Sequence, residues 1–149
     1  MTTGDKVILL VDDDPNDVEL TLRAFRSSPL GNKFVVARDG LEALDYLRGT
    51  GAYAGRNPEH LPQVVLLDLN LPAIDGLEVL RRIRADERFR RLPVVILTSS
   101  NEDSDKLAGY GLGANSYVRK PVDFTQFREA TRQLALYWLV LNQPPPKSG

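Results

Sequence analysis

The sequence predicts a doubly wound α/β fold, a five-stranded parallel sheet with helices on both faces. Three observations predict it. Four stretches, ILLVDDD (8–14), VVLLDLNLP (64–72), VVILTSS (94–100) and SYVRKP (116–121), are β-branched and aliphatic runs that stop abruptly at polar or charged residues. Continuous apolar runs of this length suit strands buried on both faces of a parallel sheet. Strands and helical patterns then alternate five times, the arrangement that folds as a parallel sheet with covering helices. Finally, the residues able to do chemistry collect at the strand ends, the carboxyl edge at which such sheets carry their sites.

The elements follow in order. Lys6–Val11 is the first strand. Asp14 is placed to cap the next helix, with Pro15 at the first helical position, where its missing N–H costs nothing; Val18, Leu22 and Phe25 then recur at helical spacing. Lys33–Ala37 is the second strand, followed by a short helix near Leu41–Arg48. Residues 49–62, GTGAYAGRNPEHLP, are rich in Gly and Pro without periodicity and are expected to be a loop. The third strand is Gln63–Leu67 with its helix at about Gly76–Ala85, and the fourth is Pro93–Leu97. A weak helix is expected over Asp103–Tyr110, where Gly109, Gly111 and Gly113 end it and turn the chain. Ser116–Val118 is the fifth strand and Asp123–Leu141 a long last helix. The tail NQPPPKSG cannot continue a helix and is expected to be disordered. The expectation is one domain over 1–141 and a tail over 142–149.

Bulk properties exclude several function classes. The 149 residues suffice to close one hydrophobic core. A formal net charge of -1 argues against a general nucleic-acid binder. Without cysteine there is no disulfide, thiolate metal site or cysteine nucleophile. The apolar run near the N-terminus is too short to span a membrane and lacks the flanks of a signal peptide. A soluble cytoplasmic protein is expected. His60 falls in the loop as a surface residue, the arginine-rich run RRIRADERFRR (81–91) as a solvated helix face, and no glycine-rich nucleotide loop precedes a helix.

At the carboxyl edge, Asp12, Asp13 and Asp14 follow directly on a buried strand. Like charges so crowded raise one another's pKa unless a cation compensates. Mg²⁺ is the natural compensator, since it takes hard oxygens from one or two carboxylates together with phosphate oxygens. A helix cap needs one acid, and Asp14 fills that role. Asp68 ends the third strand; alone it is as readily a turn former as a site residue, but beside Asp12 and Asp13 it reads as a nucleophilic carboxylate that accepts a phosphoryl group. The Thr98 hydroxyl either satisfies a strand-end backbone group or donates to a phosphoryl oxygen. Most lysines are solvated surface charges, but Lys120 lies at the same edge as the acids and could neutralise phosphoryl charge.

These positions, in this order, resemble the receiver domain of two-component response regulators over about residues 5–141. The motifs that carry it are the acidic pair after the first strand, D-x-x-x-P-x-x-D-G at Asp68–Gly76, a hydroxyl after the fourth strand and Lys120-Pro121 after the fifth. The resemblance implies the flavodoxin-like (βα)5 arrangement with strand order 2-1-3-4-5. It also implies that Asp68 is the phosphoacceptor, with Asp13 a direct Mg²⁺ ligand, Asp12 assisting through water and the Asn70 backbone carbonyl completing the set. Thr98 resembles the switch hydroxyl, Tyr117 the aromatic switch residue, and Lys120 the lysine that pairs with the acyl phosphate. Ser100 stands where the family tunes phosphate lifetime, and the bond before Pro121 is expected to be cis. The enlarged loop at 49–62 and the Trp-bearing final helix followed by Pro resemble small stand-alone regulators paired with phytochrome-type histidine kinases. A sensor histidine kinase is the implied partner and donor.

Phe124, Phe127, Thr131, Leu134, Trp138 and Leu141 form a heptad-like seam on the last helix, and residues 134–141 are apolar nearly all round. That predicts a homodimer through the fourth and fifth helices and the fifth strand, unless the final turn tucks under its neighbour. Two other readings compete. A phosphatase resembling the haloacid dehalogenase group would use Asp12 as nucleophile and leave Asp68 idle. A pseudo-receiver would bind without ever taking phosphate, which the intact set of Asp12, Asp13, Asp68, Thr98 and Lys120 argues against.

Overall fold

Each apolar run forms a strand, and the strands assemble in the expected order. A computed structural model of the chain describes residues 7–26, 33–98, 111, 113–114, 116–120 and 125. Its elements are β1 (Val7–Val11), α1 (Pro15–Arg26), β2 (Lys33–Ala37), α2 (Gly40–Arg48), a 3-10 turn (Gly51–Tyr53), β3 (Val64–Asp68), α3 (Gly76–Ala85), β4 (Val94–Thr98) and β5 (Ser116–Arg119). All strand pairs are parallel and the sheet order is β2-β1-β3-β4-β5. The helices expected at 103–110 and 123–141, the tail at 142–149, and Ser99, Ser100 and Pro121 lie outside the described residues.

Side-chain alternation along the strands explains why the runs are apolar throughout. Leu9, Val11, Val65, Leu67 and Ile96 pack with Ala43, Leu44 and Leu47 of α2 and Val79, Leu80 and Ile83 of α3. Ile8, Leu10, Leu66, Val95 and Leu97 face the other way, with Val18 and Leu22 of α1 and Val118 of β5. Both faces are therefore covered, and polar residues are pushed to the strand ends.

Two strands begin and end one residue later than expected. β3 includes Asp68, which pairs with Leu97, and β4 includes Thr98, which pairs with Arg119. Pro93 has no N–H to give a ladder; only its carbonyl is used, accepting from the Val65 N–H at 2.9 Å. The shift carries Asp68 onto the sheet rather than into the loop after it.

The segment 49–62 is more ordered than its composition suggests. Gly49 ends α2 in the left-handed region (φ 68°), and a Cβ there would lie 2.2 Å from the Arg56 carbonyl oxygen, so only glycine fits. Arg56 lies 3.9 Å over the Tyr46 ring and donates to the carbonyls of Tyr46 at 2.8 Å and of His60. Tyr46 and Tyr53 meet edge to face at 5.1 Å, and the Tyr53 hydroxyl donates to Glu42 at 2.7 Å. His60 is exposed, as expected of a surface residue.

The arginine-rich run is only partly a solvated helix face. α3 stops at Ala85, and Phe89 inside the run is 1% exposed. Arg84 donates to the carbonyls of Gly113 at 2.6 Å, Leu92 at 2.6 Å and Arg90 at 3.1 Å, tying α3 to the chain before β5. Arg81 and Arg82 pair with partly exposed Glu78, and these hydrogen bonds hold its carboxyl down at about 2.

Candidate functional site

The carboxyl ends of β1, β3 and β5 and the first turn of α1 bring one ammonium from late in the chain into contact with three acids from its first half. Lys120, directly after β5, places Nζ 2.7 Å from Asp12 Oδ2, 2.9 Å from Asp17 Oδ2 and 3.2 Å from Asp68 Oδ2. Asp12 is fully buried at the end of β1, where its N–H bonds to the Ala37 carbonyl at 3.0 Å and its Oδ1 accepts from the Asp14 N–H at 3.1 Å. Asp68 is 5% exposed, and its Oδ1 accepts from the Asn70 N–H at 3.3 Å. Asp13 is exposed at the mouth of the cleft.

Asp14 behaves as a cap. Its Oδ1 accepts from the N–H groups of Asn16 at 2.9 Å and Asp17 at 3.4 Å, satisfying donors that the first turn of α1 leaves free. Gly76 fixes the loop after Asp68. A Cβ on it would lie 2.2 Å from the Asp68 carbonyl oxygen, and its N–H donates to the Leu69 carbonyl at 2.9 Å. Ala73 in the same loop takes a positive φ of 70°, a conformation that strains an L-residue by about 1 kcal/mol. Asp75 caps α3 by accepting from the Glu78 N–H at 2.8 Å.

Burial dominates the electrostatics. It raises the Asp68 carboxyl above the usual range; Lys120 pulls it back, the Asp12 charge adds to the rise, and the Asn70 N–H lowers it. Burial alone would lower Lys120, but hydrogen bonds to Asp12 and Asp17, with the charges of Asp68 and Asp12, outweigh it and hold the ammonium above its ordinary value. Among the described residues, Asp12, Asp13 and Asp68 are the acids whose carboxylate oxygens converge, all within 4.8 Å of one another. An all-oxygen, all-anionic set fits a hard divalent cation such as Mg²⁺.

The cleft thus unites four of the expected residues, Asp12, Asp13, Asp68 and Lys120. Asn70 adjoins it, through its N–H. Thr98 ends β4 and Tyr117 lies in β5, but their side chains are outside the described residues, as are Ser100 and Pro121. Asp17 is the residue that sequence reasoning missed. Its only signal was an acid in the first turn of α1, which by itself reads as a favourable charge at a helix N-terminus.

Residues 8–132 match the response regulator receiver domain family. The chain is 42% identical over 139 residues to the probable methanogenesis regulatory protein FilR2 of Methanothrix harundinacea, covering 93% of this chain and 87% of that protein. It is 37% identical over 134 residues to the response regulator Rcp1 of Synechocystis sp., covering 90% and 89%. A solved Mn²⁺-bound form of Rcp1 superposes with a TM-score of 0.75 at 35% identity, over 94% of this chain and 99% of that one. The solved bacteriophytochrome response regulator AtBRR superposes with a TM-score of 0.80 at 51% identity, over 94% and 99%. The chain belongs to the receiver domains of two-component response regulators, and phytochrome-associated regulators are among its relatives.

Proposed function

We propose that this receiver accepts a phosphoryl group on Asp68 from a phosphohistidine of a sensor histidine kinase, of the phytochrome type, in a Mg²⁺-dependent reaction. The observation that carries the reading is the setting of Asp68: a buried strand-end carboxylate held between the Asn70 N–H and the Lys120 ammonium, within metal-ligand reach of Asp12 and Asp13. One Asp68 oxygen forms the new bond to phosphorus as the phosphorus–nitrogen bond of the donor breaks, and the leaving imidazole nitrogen takes up a proton. Mg²⁺ held by the acids would supply charge neutralisation and orientation of the phosphoryl oxygens. Asp13 and Asp68 would hold the ion, with Asp12 assisting through water and the Asn70 carbonyl completing the set. Lys120 offsets charge on the transferred group, where an ammonium in a water-poor cleft is most effective.

The same reading assigns Thr98 and Tyr117 as the switch pair, Ser100 as the residue that tunes phosphate lifetime, and a cis bond before Pro121. The chain acts as a cytoplasmic signalling protein whose only chemistry is its own phosphotransfer and dephosphorylation. Its single receiver domain over 1–141 dimerises through the fourth and fifth helices and β5, and it binds no nucleic acid or membrane. No helix among the described residues is long and apolar enough to cross a membrane.

Incubation with Mg²⁺ and acetyl phosphate, followed by intact-mass measurement, tests the acceptor. Wild type is expected to gain one acid-stable phosphoryl group and Asp68→Asn none. Labelling that persists in Asp68→Asn but disappears in Asp12→Asn would instead favour the phosphatase chemistry, and no labelling of wild type with any donor would leave a binding module.

A further inference from the structure

A lysine ammonium has three N–H donors, and Lys120 directs them at three different carboxylates: Asp12, Asp17 and Asp68. The three are not equivalent. Asp12 and Asp68 belong to the trio whose oxygens converge for a cation, and Asp17 does not. Lys120 therefore bridges the cation-binding carboxylates and one outside them, in the first turn of α1. The Lys120 side chain is 8% exposed and that of Asp17 is 33% exposed, so the ammonium sits on the inner side of the pair.

A divalent cation held by Asp12, Asp13 and Asp68 competes with this ammonium for two of its three partners. Lys120 cannot simply withdraw into water, because its side chain is enclosed, and an enclosed ammonium stripped of partners is costly. Asp17 is the partner that remains. We propose that Asp17 is a positioning residue, a berth that holds the Lys120 ammonium while Asp12 and Asp68 turn to the cation, and keeps it poised beside the phosphoryl group that follows. The inference rests on reading the cleft as a Mg²⁺-assisted phosphoacceptor site.

Without Asp17, Lys120 has, among the described residues, only Asp12 and Asp68 left and clings to them against the cation. A plain helix-dipole role for Asp17 makes a different prediction: it changes stability, but its effect on metal affinity does not depend on Lys120. Titration calorimetry of the full chain with Mg²⁺ separates the two. Asp17→Asn is expected to weaken Mg²⁺ binding by about three- to tenfold, an interaction of the size found between contacting charged groups. Asp14→Asn removes the same charge nearby while keeping a competent cap, and should change the affinity by less than about twofold. In a Lys120→Met background, with no ammonium to berth, Asp17→Asn should also shrink to less than about twofold. Asp17→Glu should recover part of the wild-type affinity, and Asp17→Ser replaces Asp17→Asn if circular dichroism shows the latter unfolded.

Equal effects of Asp17→Asn with and without Lys120, or an effect no larger than that of Asp14→Asn, overturns the berth and leaves the phosphoacceptor reading intact. A wild-type chain that binds no Mg²⁺ overturns both.

Discussion

The carboxyl-edge cleft and the segment from Gly49 to Gln63 both connect regular elements, yet they dispose of charge in opposite ways. In the segment Arg56, Tyr53 and Thr50 each have partners of their own. Arg56 covers Tyr46 and holds backbone carbonyls, Tyr53 donates to Glu42, and the Thr50 hydroxyl donates to Asp45 at 2.8 Å. In the cleft, among the described residues, four acids, Asp12, Asp13, Asp17 and Asp68, gather around a single ammonium, which pairs with three of them. The first arrangement stabilises a shape by itself. The second leaves an excess of negative charge among the described residues that a bound cation can relieve, so its stability is tied to what it binds.

The largest effect expected from breaking this contrast is at Lys120. Lys120→Met leaves Asp12, Asp17 and Asp68 facing one another, and without Mg²⁺ it should lower stability to urea unfolding by about 2 kcal/mol. The pairs with Asp12 and Asp68 are buried and supply most of this loss, whereas Asp17 is one-third exposed and water screens its share. Added Mg²⁺ should narrow the gap to wild type, because the variant has no ammonium competing for Asp12 and Asp68. A gap that Mg²⁺ leaves unchanged would mean that the cleft, like the loop, is held by its internal pairs alone.

Arg56 gives the matching test on the other side. Arg56→Ala removes the guanidinium from the Tyr46 ring and from the carbonyls of Tyr46, Leu47 and His60. The expected loss is about 1.5 kcal/mol, identical with and without Mg²⁺. Limited proteolysis should show faster cutting within 49–62 in the variant. Mg²⁺-dependence of this loss would show that the loop and the cleft are coupled, and the contrast between them would fail.

What could be read from the sequence follows the same division. Buried parallel strands force apolar runs, and a run that stops at Asp12 or Asp68 announces both the strand and the residue at its end. Lys120 was legible for the same reason. Asp17 was not, since its role depends on an ammonium that the fold brings across the cleft from the far end of the chain, and no local periodicity encodes that meeting. Arg84 was hidden likewise: within an arginine-rich run nothing distinguishes the guanidinium that caps three carbonyls from those that face water. The order in 49–62 was missed because composition reports the glycines and prolines that interrupt regular structure. It does not report that Arg56 folds back over Tyr46.

The smallest effect concerns Tyr53, and here pH sharpens the contrast. Burial first, and then the hydrogen bond to Glu42, raise the Tyr53 hydroxyl from the usual 10.0 to about 12. The folded chain thus keeps a proton that the unfolded chain gives up near pH 10. Stabilisation from this group is complete below the unfolded value and is lost as pH climbs through the folded one. Tyr53→Phe removes the donor to Glu42 and should cost about 1 kcal/mol at neutral pH. Urea unfolding of the two proteins at about pH 8 and about pH 11 should show that difference narrowing on the alkaline side. Other tyrosines and lysines titrate there too, but they are common to both proteins and cancel in the comparison. A difference that stays constant with pH would mean that the hydroxyl is solvated rather than held by Glu42. The loop would then be fixed chiefly by Arg56, Gly49 and the Tyr46–Tyr53 ring contact, which Phe retains.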